Sequence, residues 1–527
     1  MIAGWCVFGL GLGLLLSARC HADGAAIART GAGAAPACQT CHGPAGEGMA
    51  QAGFPRLASL GAPYMQRQLA AFAEGTRVSA VMTPIAQALS VADRAEVSAY
   101  YAALPAPAAP AAARPTASPS PPGATPASAP VGASLATHGR WADKLPACEQ
   151  CHAPGGGGVG ADFPALAGQS ATYLANQLTA WKTGARPPGP MGLMAVVAKK
   201  LSDADMRAVA DHYASLSADS AASTPRSPND MAVDPPRAEL TSPSAKAAAS
   251  VTFRPPAESE MPAGELGDVI RRGREIFIDT PRAAPAYVGN SLRCVSCHLD
   301  AGRLANSSPM WAAFVSYPAY RSKTKSITTF QQRLQGCFEY SLNGLAPPLG
   351  APELVALESY ARWLASGAPR DPKIAGRGYP ALEPPAQTAD FARGEKVYAE
   401  SCALCHGADG TGQRTQDGYA VFPALWGSDS FNWGAGMGRI SNAAAFVKAN
   451  MPLGRPGTLT DQRAWDVAMY MTSHERPQDP RYTGTVQGTQ RDFHATSDSM
   501  YGREVAGKVL GASGAPKPFR PLKETRP

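Results

Sequence analysis

Cys38-Gln-Thr-Cys41-His42 is the first of four Cys-x-x-Cys-His motifs in this chain. The others are Cys148-Glu-Gln-Cys151-His152, Cys294-Val-Ser-Cys297-His298 and Cys402-Ala-Leu-Cys405-His406. At this spacing two thiols can add to the vinyl groups on one porphyrin edge while the adjacent imidazole reaches the iron. The 11 cysteines and 9 histidines would give far fewer than one match by chance. We therefore expect four covalently bound haem c groups; a zinc site or a redox dithiol is the weaker interpretation.

Length and composition point to several small helical domains. With 527 residues the chain is too long for one core, and the four motifs suggest four domains. Glycine and proline are abundant, whereas aromatic residues make up only 7%. We expect an all-α protein of four haem domains whose cores are completed by porphyrin. The net charge of +7 would be offset by the haem propionates, so it does not indicate nucleic-acid binding.

Two Pro/Ala-rich stretches divide the chain and read as semi-rigid linkers. The predicted organisation is a signal peptide (1–22), a first cytochrome c domain (23–104), a linker (105–130), a second domain (131–217), a linker (218–257), a third, catalytic domain (258–370), a fourth domain (371–480) and a C-terminal tail (481–527). The cations of the tail fit either an exposed arm or a wrap over a haem domain.

The N-terminus has the pattern of a secretory signal. An apolar run from Val7 to Leu16 precedes small residues suited to cleavage after Ala22. The run is short for a stable membrane span, so we expect a periplasmic protein, with a retained anchor as the alternative. Cleavage removes Cys6 and Cys20, and the motifs use eight cysteines. Cys337 is then the single cysteine without an assigned role.

Each domain shows signals for helices that flank its motif. The first two domains form an internal repeat, and each ends in a capping-box pattern, Ser90 to Asp93 and Ser202 to Asp205. Gly273-x-x-x-Phe277 and Gly394-x-x-x-Tyr398 precede the later motifs. Partner helices are predicted at Pro352 to Ser366 and Asp461 to His474. These features resemble the class I cytochrome c fold, in which terminal helices cross beside the haem.

The histidine of each motif (His42, His152, His298 and His406) supplies one axial ligand, so the opposite ligand must come from elsewhere. Met82 is the candidate in the first domain, and Met194 is favoured over Met191 in the second because it keeps the offset of Met82 from the last helix. Met451 precedes a helix in the fourth domain. The third domain has a single methionine, Met310, between His298 and Ser366, which leaves Cys337 as a serious candidate.

The surroundings of Cys337 favour a function. Arg333, Cys337 and Ser341 are spaced i, i+4, i+8 and would share one face if residues 330–342 are helical. A neighbouring cation favours thiolate, and Arg321, Lys323 and Lys325 in the same domain would make the pocket suited to a small anion. From spacing alone, an inert buried cysteine is equally compatible.

The third and fourth domains resemble a known enzyme family. Cys294-Val-Ser-Cys297-His298-Leu-Asp-Ala-Gly, Tyr317-Pro-Ala-Tyr-Arg321, Gln335-Gly-Cys337-Phe-Glu-Tyr-Ser341-Leu-Asn-Gly344 and Ala346-Pro-Pro-Leu-Gly350 are similar to the diheme thiosulfate dehydrogenases of the TsdA family, from about Met261 to Arg476. In that family one haem is ligated by histidine and by a cysteine that carries out the reaction. The resemblance places Cys337 in that role.

The resemblance also assigns neighbouring positions. It matches Arg333 to the family's active-site arginine, Ser341 to its serine and Met451 to its second-haem ligand. Asn450 stands where the family has a lysine before that methionine, so a lysine-to-methionine ligand exchange is not expected. Residues Asp23 to Leu216 are similar to diheme cytochromes of the c-four type, which are electron carriers.

Together these resemblances imply a fusion of carrier and dehydrogenase. The expected reaction couples two thiosulfates to tetrathionate, in either direction, at Cys337 with help from Arg333, Ser341 and Arg321. Electrons would pass through haems 3 and 4 to the N-terminal pair and then to an external acceptor, such as a cytochrome, a high-potential iron-sulfur protein or a terminal oxidase. The alternatives are a non-catalytic multihaem carrier and a cytochrome subunit of another dehydrogenase.

Overall fold

The structure is a computed structural model that describes residues 23–107, 131–218, 253–321, 323–370, 374–514, 516 and 519. The predicted signal peptide and most of both predicted linkers lie outside the described residues. Within these ranges the fold is dominated by helices, and the strands form only two-stranded antiparallel hairpins. None of the helices described there is both long and apolar enough to cross a membrane.

The helices group by domain. The first domain contains α1 (Gly24–Thr30), α2 (Gln39–His42), α3 (Ala62–Ala73), α4 (Met82–Ala88) and α5 (Val91–Ala103). The second contains α6 (Val131–Thr137), α7 (Glu149–His152), α8 (Ala171–Thr183), α9 (Leu193–Lys199) and α10 (Asp203–Ser215). The third contains α11 (Gly264–Ile278), α12 (Thr280–Ala283), α13 (Leu299–Gly302), α14 (Met310–Phe314), strands β1 (Ala319–Arg321) and β2 (Ser326–Thr328), α15 (Phe330–Gly336) and α16 (Pro352–Leu364).

The fourth domain contains α17 (Phe391–Ser401), α18 (Ala403–His406), strands β3 (Gln413–Arg414) and β4 (Ala420–Phe422), α19 (Ile440–Asn450) and α20 (Asp461–Thr472). It is followed by α21 (Val486–Phe493) and the hairpin β5 (Glu504–Val505) and β6 (Lys508–Val509).

The same helix crossing recurs in all four domains. The first helix of each domain meets its last helix at a glycine, where an added Cβ would lie 2.0–2.2 Å from a backbone oxygen of the partner helix. These glycines are Gly24, Gly132, Gly273 and Gly394. Because any side chain there would push the helices apart, glycine sets their close approach. The prediction of an all-α protein with cytochrome c-like domains is confirmed.

Capping residues fix where the last helices begin. Ser90 and Asp93 form a reciprocal capping box at α5, as Ser202 and Asp205 do at α10. Thr460 caps α20 through the backbone N–H of Arg463. α16 and α20 each begin where predicted and each end two residues before the predicted end.

The repeat explains how the first two domains associate. Arg77 donates to Gln177 across the interface at 2.7 Å, and Arg186 donates to Gln68 at 2.9 Å. Arg77 and Gln68 of the first repeat are equivalent to Arg186 and Gln177 of the second, so each bond is the counterpart of the other. The first two domains therefore form a pseudo-symmetric pair.

The third and fourth domains share one hydrophobic core. Phe431 and Ala435, from the segment before α19, lie in the core that also contains Phe338 and Leu357 of the third domain. Residues beyond 480 pack on the fourth domain, with Met500, Tyr501 and Leu510 in one cluster with Trp433 and Ile440. The described part of the C-terminal tail therefore packs over the fourth domain and does not form an exposed arm.

Candidate functional site

All four motif histidines are held in the same way. The Nδ1 atom of each lies 2.6–2.9 Å from a backbone carbonyl oxygen, of Pro55, Pro164, Ser308 and Pro423 respectively. Because Nδ1–H donates to the carbonyl, Nε2 keeps its lone pair free for a metal. Burial lowers the pKa of all four rings, which keeps them neutral. In each motif, the Nε2 atom of the histidine is thus available to bind a metal.

A large cavity that reaches the fourth motif tests whether a haem fits beside it. It has a volume of about 1140 Å³, and its wall includes Cys402, Cys405, His406 and Met451. It extends between the second, third and fourth domains. Its size and the thiol, imidazole and thioether groups around it suit a covalently attached porphyrin. Among the residues that the structure describes, no three His, Cys, Asp or Glu side chains converge as they would around zinc.

The methionine candidates differ in their surroundings. Met82 is the first residue of α4 and Met194 the second residue of α9, so both occupy the start of equivalent helices. Met191 lies just before α9 in a left-handed conformation (φ 53°), and its carbonyl accepts from Arg455 at 2.6 Å. Met310 is 5% exposed and packs in the core of the third domain, so it is placed as a core residue.

Cys337 lies where the α-helix changes to a π-helix. α15 is capped by Thr329 and ends at Gly336, and residues Cys337–Ser341 form a π-helical turn closed by Leu342 N–H donating to the Cys337 carbonyl at 3.0 Å. The stretch that the sequence analysis treated as helical is therefore helical, but as an α-helix followed by a π-helical turn and not as one regular α-helix. The wider turn changes the direction of Ser341 relative to Cys337, and such turns are frequent at functional sites.

The contact between Arg333 and Cys337 occurs as the i, i+4 spacing indicated. Arg333 Nη1 donates to Cys337 Sγ at 2.9 Å. The charge on Cys337 raises the pKa of Arg333. The thiol therefore faces a permanent cation.

Both residues lie beside the third motif. Burial and the charge on Cys337 raise the pKa of Cys297 to about 11. Burial, with the positive charge of Arg333 also acting, lowers the pKa of His298 to about 4. The thiol–guanidinium pair is thus close enough to act on the residues expected to attach and ligate the third haem.

Two of the other predicted cations, Arg321 and Lys323, lie near this pair, whereas Lys325 is exposed in the turn between β1 and β2. Arg321, in β1, donates to the hydroxyl of Tyr317. Lys323 donates to the Gly434 carbonyl at 2.6 Å and lies 3.2 Å from the centre of the Tyr340 ring. Burial and the charge of Arg481 lower the pKa of Lys323 to about 7, with Arg333 contributing in the same direction.

Ser341 is held by the backbone. Its carbonyl accepts from Asn290 Nδ2 at 3.0 Å, and Asn290 also donates to Ser430 O at 3.1 Å. The end of the π-helical turn is in this way tied to the segment before α19. Ser341 therefore lies at the junction of the third and fourth domains.

Tyr379 is a site residue that the sequence did not reveal. It lies in the connection between the third and fourth domains, next to Cys297, Arg333 and Cys337, and burial raises its pKa strongly. Gly378 O in the same connection accepts from Ser308 N–H at 2.8 Å, and Ser308 holds His298. No motif marks this tyrosine; only the path of the chain brings it to the thiol.

The second domain meets the fourth domain at an aromatic contact. Phe163 and Phe422 have ring centres 4.9 Å apart, and they lie 6.4 Å from His152 and His406 respectively. Burial, together with the charge of Cys405, raises the pKa of Cys151 to about 12. The second and fourth motifs are therefore adjacent, which sequence spacing could not indicate.

These features define a multidomain c-type cytochrome with a thiol–guanidinium pair at one haem motif. The family model "Cytochrome c" matches residues 22–104 and 142–217, and that of "Cytochrome C oxidase, cbb3-type, subunit III" matches residues 389–471. Thiosulfate dehydrogenase of Thiomonas intermedia (strain K12) is 54% identical over 289 residues, covering 55% of this chain and 91% of that protein. The chain belongs to the thiosulfate dehydrogenase family of oxidoreductases.

The N-terminal half has relatives of its own. The thiosulfate dehydrogenase electron acceptor of Stutzerimonas stutzeri (strain A1501) is 45% identical over 206 residues, covering 38% of this chain and 91% of that protein. Cytochrome c4 of Pseudomonas aeruginosa is 35% identical over 207 residues, covering 39% of this chain and 95% of that protein.

One solved structure spans both halves. Thiosulfate dehydrogenase (TsdBA) from Marichromatium purpuratum, in its "as isolated" form, is 43% identical, with a TM-score of 0.80 over 93% of this chain and 99% of that chain. The resemblance to a fusion of a c-four-type carrier and a TsdA-type enzyme is confirmed.

Proposed function

We propose that this chain is a periplasmic tetrahaem enzyme that couples two thiosulfates to tetrathionate at Cys337. The observation that carries the proposal is the 2.9 Å contact between Arg333 Nη1 and Cys337 Sγ beside the third motif. The likeness to thiosulfate dehydrogenases supports the substrate. The common anchoring of the four motif histidines supports four haems.

The chemistry at Cys337 follows from its thiolate. The Cys337 sulfur forms a bond with the outer sulfur of one thiosulfate, and two electrons are removed as the S–S bond forms. A second thiosulfate attacks the bound sulfur and displaces the Cys337 thiolate, which releases tetrathionate. Atoms and charge balance as two thiosulfate dianions giving one tetrathionate dianion and two electrons. When bound, the haems supply one-electron acceptors for these electrons.

The protein's own charges assist both steps. Arg333 stabilises the thiolate before and after the exchange and offsets the repulsion between anions that approach it. Lys323 adds positive charge that grows as the pH falls through about 7. Arg321, held by Tyr317, is proposed to orient the incoming anion, and Ser341 to donate a hydrogen bond to it.

We propose that Met82, Met194, Cys337 and Met451 would each supply the second protein ligand of one of the four haems. Met451 faces the same cavity as His406, which supports its assignment. The route for electrons is from the third to the fourth domain and into the carrier, supported by the Phe163–Phe422 contact and the proximity of Cys151 and Cys405. An external redox protein would then accept them.

An anaerobic thiosulfate titration of the purified holoprotein tests this function. Haem absorbance, a count of haem per chain and tetrathionate analysis are measured together, with ferricyanide as the alternative acceptor. We expect four haems per chain, reduction by thiosulfate and tetrathionate as the product. A protein with four haems that thiosulfate does not reduce, and that forms no tetrathionate with ferricyanide, would be a non-catalytic carrier.

A further inference from the structure

A buried arginine in the fourth domain has no acidic partner. Arg476 is 3% exposed, and it forms no ion pair in the part of the chain that the structure describes. Its Nη2 donates to Met471 O at 2.9 Å and its Nη1 to Leu425 O at 3.4 Å. Its Nε is buried without a hydrogen-bond partner among the described residues. One N–H of a permanent cation is thus left for an acceptor that the polypeptide does not supply.

The nearest carboxylate in sequence is engaged elsewhere. Glu475 accepts from Trp433 Nε1 at 3.2 Å and from Gly511 N–H at 3.0 Å. By contrast, the equally buried Arg274 pairs with Glu258 at 2.9 Å. Burial lowers the pKa of Arg476 to about 9, and the charge of Glu475 offsets this only in part. An uncompensated buried guanidinium is unfavourable unless an anion joins it.

The position of Arg476 indicates which anion. The guanidinium lies 4.3 Å from the centre of the Phe431 ring and bonds to the carbonyls of Leu425 and Met471. These three residues also line the cavity that contains Cys402, Cys405 and His406. A haem covalently attached in that cavity would bring two propionate carboxylates to it.

We propose that Arg476 binds a haem propionate in the fourth domain. This inference depends on the proposed presence of a fourth haem. The planar guanidinium suits a carboxylate, and ring stacking on Phe431 fixes its orientation. A cation paired with a propionate stabilises the reduced haem, because reduction adds one negative charge nearby. Arg476 therefore raises the reduction potential of the haem that receives electrons from the third domain.

The test compares the full-length holoproteins Arg476→Gln and Arg476→Lys with the wild type. Haem content, thermal midpoint and the midpoint potential of each haem are measured, the last by a potentiometric titration followed by electron paramagnetic resonance. Met451→Ala identifies the signals of the fourth haem. Arg393→Gln is the matched control, since it removes an exposed arginine from the same domain, where it pairs with Asp466.

We expect Arg476→Gln to lower the potential of the fourth haem selectively. The ratio of ferrous to ferric haem at fixed potential should fall about tenfold, equivalent to about 59 mV for one electron, and Arg476→Lys should restore part of it. Selective loss of the fourth haem in Arg476→Gln, with the other three retained, also supports the inference. If Arg476→Gln does not fold, Arg476→Lys carries the test, with a smaller selective decrease expected.

Unchanged potentials with a lowered thermal midpoint, in either variant, would show that Arg476 only caps the carbonyls of Leu425 and Met471, and would overturn the inference. A wild type with fewer than four haems would instead contradict the proposed function.

Discussion

Replacing Arg333 by glutamine removes the cation that faces the Cys337 sulfur. The bond between Arg333 Nη1 and Cys337 Sγ is 2.9 Å long, and a hydrogen bond to a charged group contributes about 1.5–3 kcal/mol. If that contribution is lost in the rate-limiting state, kcat/KM for thiosulfate falls about 10- to 150-fold. Arg333→Lys keeps the charge without the planar fork and should lose less.

The assay is steady-state thiosulfate oxidation with ferricyanide, normalised to haem content. Arg271→Gln is the control, because Arg271 forms an exposed pair with Asp268 in the same domain. A decrease of less than about threefold in Arg333→Gln, with full haem content, would refute the role of this contact.

Three further predictions concern the assembly. Burial alone would raise the pKa of Glu258, but Arg274 and His138 lower it to about 2. The contribution of Glu258 to the stability of the fold, up to about 3 kcal/mol at neutral pH, is therefore present above about pH 4.5 and lost as the pH falls toward 2. In Glu258→Gln the thermal midpoint should depend less on pH over that range. Phe422→Leu should weaken docking of the carrier about 2- to 10-fold and slow electron arrival at the N-terminal haems in rapid mixing. Gly394→Ala should destabilise the holoprotein by about 1–3 kcal/mol in denaturant unfolding, because the new Cβ would lie 2.1 Å from Asp466 O.

Each of these predictions has a matched control. Glu260→Gln alters an exposed carboxylate in the same turn as Glu258, and an equal effect would contradict the special role of Glu258. Phe391→Leu alters an aromatic residue that packs on Tyr470 within the fourth domain, so it should not affect docking. Gly436→Ala places its Cβ 3.7 Å from the nearest side chain; similar destabilisation would contradict the crossing argument.

Features set by local spacing could be predicted from the sequence. The motifs, the capping boxes at Ser90 and Ser202 and the glycine–aromatic pairs that begin at Gly273 and Gly394 depend on residues a few positions apart, and the structure shows both capping boxes and a close helix approach at these two glycines. The crossings at Gly24 and Gly132 were not predicted. The contact of Arg333 with Cys337 also follows from one helical turn. In these cases neighbours in sequence are neighbours in space.

Features that depend on distant segments could not be predicted. The end of the π-helical turn that begins at Cys337 is held by Asn290, which donates to the carbonyls of both Ser341 and the distant Ser430. Tyr379 reaches the site from an interdomain connection without a motif. The wrap of residues around Tyr501 depends on an apolar surface made by Trp433 and Ile440. The residues that form each of these features lie far apart in the chain, and the periodicity of a sequence does not show which distant residues come into contact.

The proposed reaction requires that the Cys337 sulfur forms and breaks the bonds to thiosulfate. Anaerobic rapid mixing of Cys337→Ala with thiosulfate, followed by haem absorbance, tests it most directly. We predict that the variant keeps four haems, is reduced by dithionite and shows no reduction by thiosulfate. Reduction by thiosulfate at the wild-type rate would contradict the account.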